Sequence, residues 1–214
     1  MALTSTARQL LAQITLEGTK LGDLRKIAKE VKRNHDVAME LWGSGSYYAR
    51  MLALLIMDKK LISQEFIDSL DRDIQQHELE ERNQLTDWLM AKQLTKSKKT
   101  ILLMESWREH PSVILRRIYW YYQARLRWST KTPPNNAADL LVALEKDMAE
   151  AEPEVQWAMN FTVCQIGVNE PAYRAQCIAL GEKHGLYKDE PVSKGCTPNY
   201  IPEWIRIEVA KLSK

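Results

Sequence analysis

Glycine and proline are scarce in this chain of 214 residues, at eight each, and so little turn punctuation favours helices over many short strands. Cysteine is scarcer still. Cys164, Cys177 and Cys196 have no CxxC spacing and no histidine at metal-ligand separation, and free thiols in a reducing compartment are the simplest account. His35, His77, His110 and His184 are too scattered for a zinc site, so no metal is expected. No stretch approaches the roughly 18 apolar residues needed to span a bilayer, and no signal-peptide pattern opens the chain, so a cytoplasmic protein without membrane contact is expected. Nucleotide-binding glycine loops, GxSxG, HExxH and calcium-loop patterns are also missing. That leaves the usual cofactor enzymes poorly supported, with no cofactor expected.

What the chain does have is concentrated in Ile114 to Trp128, ILRRIYWYYQARLRW. Four arginines stand there among five Tyr and Trp residues, with no acid between them. On a helix, Arg117, Tyr121, Ala124 and Trp128 share one face, and Ile114, Ile118, Tyr122 and Arg125 lie on an adjacent one. Two readings stand side by side. Guanidinium groups beside flat rings suit phosphate and nucleobases, but aromatics at helical spacing also build cores whose edges arginine stems cover.

The net charge of +2 hides a segregation. Residues 91–132 hold ten Lys or Arg against Glu105 and Glu109, a net +8, and the remainder is acidic, chiefly between Asp58 and Asp87. A basic segment of this kind points to an anionic partner, or to a solvated helical face.

Apolar periodicity near 3.6 residues recurs almost throughout. Helices are expected over Ser5–Glu17, from Gly22 with Leu24, Ile27 and Val31 inward, and over Asp36–Trp42 with Gly43 as a left-handed cap. Others follow from Tyr47 to Met57, from the N-cap Ser63 to near Asp73, and from Glu80 to Leu94. In that last helix Asn83, Asp87 and Met90 or Ala91 line one face, while Leu85, Trp88 and Leu89 form the packing side. Lys98–Glu109, the Arg/aromatic helix after Pro111, Ala137–Ala149, helices opened by Pro153 and Pro171, and a final helix with Trp204 complete the chain. No strand with period-two alternation is expected. Helix pairs repeat about every 35 to 45 residues, as in HEAT or armadillo stacking. A single all-α domain over residues 1–214 is therefore expected, a right-handed α-α superhelix whose concave surface suits an elongated partner.

The stretch GDLRKIAKEVKRNHDVAMELWGSGSYYARMLALLIMD, TDWL at Thr86–Leu89, PEVQWAMNF at Pro153–Phe161 and PVSKGCT at Pro191–Thr197 resemble the bacterial DNA alkylation repair family. The likeness runs from about Gly18 to Trp204. It implies HEAT-like repeats, duplex DNA as partner, alkylated DNA included, and a monomer. It also implies glycosylase chemistry on N3- and N7-alkylated purines, without rotation of the base into a pocket. The family's catalytic carboxylate and arginine match Asp87 and Arg117, and its two groove tryptophans fall on Asn83 and Phe161.

An alkylated purine carries positive charge and leaves an oxocarbenium-like sugar, which a carboxylate such as Asp87 would stabilise while aligning water. Aromatic faces contribute about 0.5 to 2 kcal/mol each towards such cations, which Asn83 cannot supply. Trp157 shares a helix face with Phe161, and Tyr121 lies on the Arg117 face, so both join the expected substrate contacts. Trp88 points about 100° away from Asp87 and is no replacement. Lys96, Lys98, Lys99, Arg116, Arg125 and Arg127 are assigned to the DNA backbone. Each also has a plainer reading: Asp87 as a solvated acid, Arg117 as a structural cation bonded to it, Phe161 as core, and the lysines as a solvated helix start. Three functions remain open at this point: an alkylpurine DNA glycosylase, an inactive DNA-binding member of the same fold, and a protein scaffold.

Overall fold

The computed structural model describes residues 3–14 and 19–212, and among them every regular element is helical. The chain packs as two compact units, Met1–Ser106 and Trp107–Lys214.

The first unit holds α1 (Ser5–Ile14), α2 (Leu21–Val31), α3 (His35–Gly43), α4 (Tyr47–Ile56), α5 (Gln64–Ile74), α6 (Leu79–Trp88) and α7 (Lys98–Glu105). Residues 15–17 of the expected first helix lie outside the described residues. α4 is the hub, packing on α1, α2, α3 and α6. Its run of Met51, Leu52, Ala53, Leu54 and Ile56 is fully buried, as a helix apolar on most sides must be. Arg50 interrupts that run and is still buried. Its guanidinium donates to the carbonyls of Asp73 (2.6 Å) and Trp42 (3.3 Å) and lies over the Trp42 ring, so its donors are answered inside the unit.

Three boundaries differ from expectation. The left-handed residue after α3 is Gly45, with φ +75°, and Gly43 stays within the helix. α6 ends at Trp88 and continues as a π-helical turn over Leu89–Gln93, a widening of the backbone ladder that apolar spacing does not reveal. α7 stops at Glu105, before a turn that carries the buried Trp107. Ser63 caps α5 as anticipated, its Oγ accepting from the Phe66 amide at 3.2 Å.

The second unit holds α8 (Val113–Ser129), α9 (Ala137–Asp147), α10 (Pro153–Asn169), α11 (Arg174–His184) and α12 (Ile201–Leu212). α10 is its hub, packed on α8, α9, α11 and α12. Thr162 Oγ donates to the Trp120 carbonyl at 2.7 Å and to Ala158 within its own helix, which seats α10 against α8. α12 comes close because two helices present glycine to it. A Cβ on Gly181 would stand 2.6 Å from the Cβ of Ile201, and one on Gly167 would stand 2.4 Å from the Cδ1 of Ile205.

Candidate nucleic-acid interface

α8 and α10 each turn one aromatic stripe outward, and α12 adds to it. Helical spacing places Arg117, Tyr121, Arg125 and Trp128 along α8, and Trp157 and Phe161 are one turn apart on α10. Phe161 is the centre of the group. It stacks on Trp157 with centroids 5.3 Å apart and planes within 11°, and meets Tyr121 (5.6 Å), Trp128 (5.7 Å) and Trp204 (5.4 Å) edge to face. These distances lie in the favourable range for ring pairs, each worth about 0.5–1.5 kcal/mol beyond its buried area.

The cluster is not core. Trp128 is 44% exposed, and Tyr121, Trp157, Phe161 and Trp204 are half-buried. The true core tryptophans, Trp42, Trp107 and Trp120, are at most 3% exposed. A buried cation sits against it: the Arg117 guanidinium, on a residue only 4% exposed, lies over the Trp157 ring at 4.8 Å and donates to the Glu154 carbonyl at 3.1 Å. Its charge also reaches Tyr187, whose phenol burial pushes up to about 12 while Arg117 acts in the opposite direction. Tyr187 sits at φ +61° in the loop between α11 and α12, a left-handed conformation that costs about 1–3 kcal/mol for a bulky residue.

Of the residues selected from the sequence, Arg117, Tyr121, Trp157 and Phe161 come together here. Asp87 and Asn83 stand one turn apart near the end of α6 in the first unit, both half-buried. The Asn83 Oδ1 is buried and accepts no hydrogen bond among the described residues. Lys96, Lys98 and Lys99 are exposed on either side of Ser97, which caps α7.

The three further arginines of α8 divide by what they touch. Arg125 is half-buried, one turn along α8 from Tyr121 and from Trp128, and has no hydrogen-bond or ion-pair partner among the described residues. Arg116 pairs with Glu152 and donates to the His110 and Pro111 carbonyls, clamping the turn before α8 to the start of α10. Arg127 corrects the expectation most sharply. Its side chain is 0% exposed, held by Glu170 (3.1 Å), Asn136 (2.6 Å) and the Gln123 carbonyl (2.9 Å), so no phosphate reaches it.

Trp128 and Trp204 were not among the expected contacts. Trp128 carries a local signal, its spacing of four and seven residues from Ala124 and Tyr121 on the arginine face. Trp204 carries none, because α12 alone brings it to Phe161. Trp88 is also not simple packing: it is half-buried, with Arg25 and Lys92 over its ring. Among the described residues no group of His, Cys, Asp and Glu could hold a metal ion, and no helix is long and apolar enough to cross a membrane.

A half-open aromatic platform can stack a nucleobase, and the half-buried Arg125 can neutralise a phosphate near it, while the buried Arg117 fixes the Trp157 ring. Comparison with known proteins gives the fold and the family. One solved structure superposes with a TM-score of 0.68 at 16% identity, over 98% of this chain and 88% of the other, and it is described as representing a new family of proteins related to the HEAT-like repeat DNA glycosylases with affinity for branched DNA structures. The fold is therefore the all-α HEAT-like repeat fold. Among curated proteins none is similar enough in sequence to count as a match. Residues 4–184, most of the chain, match the family described as DNA alkylation repair enzyme, and the protein belongs to that family.

Proposed function

We propose that the protein binds DNA, duplex DNA included, through the aromatic face that α8, α10 and α12 form in the second unit. The observation that supports this reading most is the open side of the Tyr121, Trp128, Trp157, Phe161 and Trp204 cluster, with Arg117 over one ring and Arg125 one turn along α8 from Tyr121 and Trp128. Open Trp and Tyr rings with guanidinium groups suit a protein partner as well, so the steep salt dependence that phosphate contacts impose is what separates the two readings.

The test is a titration of labelled duplex and of a four-way junction at several salt concentrations. The junction is included because the superposed relative is described as having affinity for branched DNA. Affinity is expected to fall linearly in log units with log salt. Trp128→Ala, which removes the most exposed ring, is expected to lose about 1–3 kcal/mol of binding, or about 5- to 150-fold. DNA affinity that is absent at low salt, or that ignores salt, refutes the reading.

A second reading makes the bound DNA a substrate. It is favoured by the half-buried carboxylate of Asp87 and by Arg117, the residues that match the family's catalytic pair. In that reaction the C1′–N bond of an N3- or N7-alkylated purine breaks with its electron pair, which neutralises the departing base. A water oxygen bonds to C1′, with Asp87 stabilising the cationic sugar and taking the water proton. Duplex carrying 7-methylguanine is incubated with wild type and Asp87→Asn, and the free base is measured. Release by wild type alone supports catalysis, and no release at high enzyme concentration leaves binding as the function.

A further inference from the structure

A second positively charged surface lies in the first unit, on a different face of α6 from Asp87. Trp88 follows Asp87 by one residue and so points about 100° around the helix from it. The Arg25 guanidinium of α2 stands 5.4 Å from the Trp88 ring centre, and the Lys92 ammonium of the π-helical turn stands 5.7 Å from it. Two cations are thus gathered about one ring. Neither has a carboxylate within 4.0 Å or any hydrogen-bond partner among the described residues.

Arg25 also begins a row. Lys29 follows it one turn along α2, and Lys32 is the cap residue just beyond the helix, at φ +60°; all three are exposed and none of them is ion-paired among the described residues. At 1.5 Å per residue Arg25 and Lys29 stand about 6 Å apart along the axis, close to the rise of about two phosphates on one strand. The neighbouring Lys26 is different, because Asp23 already answers it at 3.3 Å. Of the apolar residues of α2, Leu24 and Ile27 are buried and Leu21 and Val31 half-buried. No large apolar side chain of the helix is exposed, so the surface lacks what an amphipathic membrane helix needs. A row of uncompensated cations beside an aromatic face has the chemistry that grips a nucleic-acid backbone.

We infer that Arg25, Lys29, Lys32 and Lys92, gathered around Trp88, form a second nucleic-acid-binding surface carried by the first unit and contacting backbone phosphates. This rests on the DNA-binding reading above and adds to it phosphate contacts beyond the one that Arg125 offers beside the aromatic cluster of the second unit.

The test compares wild type with Arg25→Ala/Lys92→Ala and with Arg25→Glu/Lys29→Glu, on duplex and four-way junction, as a function of salt. All these side chains are at the surface, and thermal melting confirms that each variant is folded. The alanine pair is expected to make the slope of log affinity against log salt shallower by about 2, at about 0.9 for each phosphate no longer neutralised. The glutamate pair is expected to weaken binding further on both DNAs. If wild type binds with a steep salt slope and both variants keep that slope, the inference fails while the DNA-binding reading stands. If wild type shows no salt-dependent DNA affinity, both fail.

Discussion

Two arginines two residues apart on α8 are expected to answer substitution in opposite ways. Arg127 is sealed into the second unit, with its side chain 0% exposed and Glu170 only 17% exposed. Burial pulls its pKa down and Glu170 works against that, so the ion pair is what keeps the charge in place. Arg127→Ala leaves Glu170 without its partner and the Asn136 Oδ1 without the guanidinium donor. Truncating one member of a buried pair costs about 3–5 kcal/mol, and at about 2–4 °C per kcal/mol for a chain of this size the melting temperature should fall by about 6–20 °C. Replacing both members with apolar residues, Arg127→Met/Glu170→Met, should recover most of the loss, because the penalty comes from a stranded charge. Arg125→Ala should leave melting unchanged and make the salt slope of DNA binding shallower by about 0.9. Urea unfolding and DNA titration on the three variants decide the matter. A melting shift under about 2 °C for Arg127→Ala, or a shallower salt slope from it in a fully folded state, would refute the structural assignment.

Further outcomes follow from local geometry. Gly181→Ala should lose up to about 2 kcal/mol in urea unfolding. Its Cβ would meet the stiff Cβ of Ile201 at 2.6 Å, and overpacking of about 1–3 kcal/mol outweighs the helix-propensity gain of about 1 kcal/mol. Gly22→Ala in α2 faces open space and should gain up to about 1 kcal/mol. At alkaline pH the phenols of Tyr47 and Tyr187 are both pushed up by burial to about 12. The unfolded chain releases these protons from an ordinary value of 10.0, so stability should fall as pH climbs from 10 towards 12, and phenolate absorbance of the folded protein should lag that of a denatured sample. At acid pH the hydrogen bond from Arg116 holds the Glu152 carboxyl below its usual value of 4.5. That contribution is fully present above 4.5 and is lost as pH falls through the lowered value. Arg116→Ala should flatten this part of the acid unfolding profile.

Helical periodicity made the outward stripe of α8 and the Trp157–Phe161 pair legible, because residues three, four and seven apart are neighbours whatever the rest of the chain does. The family resemblance and the all-helical architecture were legible for a similar reason, since both rest on local pattern. Trp204 was not, because it stands 43 residues beyond Phe161 and reaches it only through the docking of α12. The available clue was a pair of glycines, Gly167 and Gly181, inside otherwise helical stretches, where glycine costs stability unless another element must come close. Charge counting misled for Arg127, because counting treats every cation as solvated. Whether a cation is solvated depends here on Glu170 and Asn136, far along the chain. Trp88 was assigned to packing by its spacing from Leu85, and the π-helical turn that follows shifts the residues beyond it.

The seven tryptophans tie these observations together. Trp42, Trp107 and Trp120 are core by burial. The other four are not, and none is isolated. Trp128, Trp157 and Trp204 share the cluster around Phe161, and Trp88 lies under two cations in the other unit. An indole left half in water forgoes much of the burial energy that makes it useful in a core, about 25 cal/mol for each Å² of apolar surface still wet. That cost falls where an arginine or lysine stands beside the ring, at Trp157 and at Trp88, and where Arg125 lies one turn from Trp128. A cation over a half-exposed ring contributes about 0.5–1 kcal/mol to the fold by itself. The proposed contact with bases and phosphates uses the same pairing in each unit, and the salt slopes of the Arg125 and the Arg25/Lys92 variants separate the two accounts.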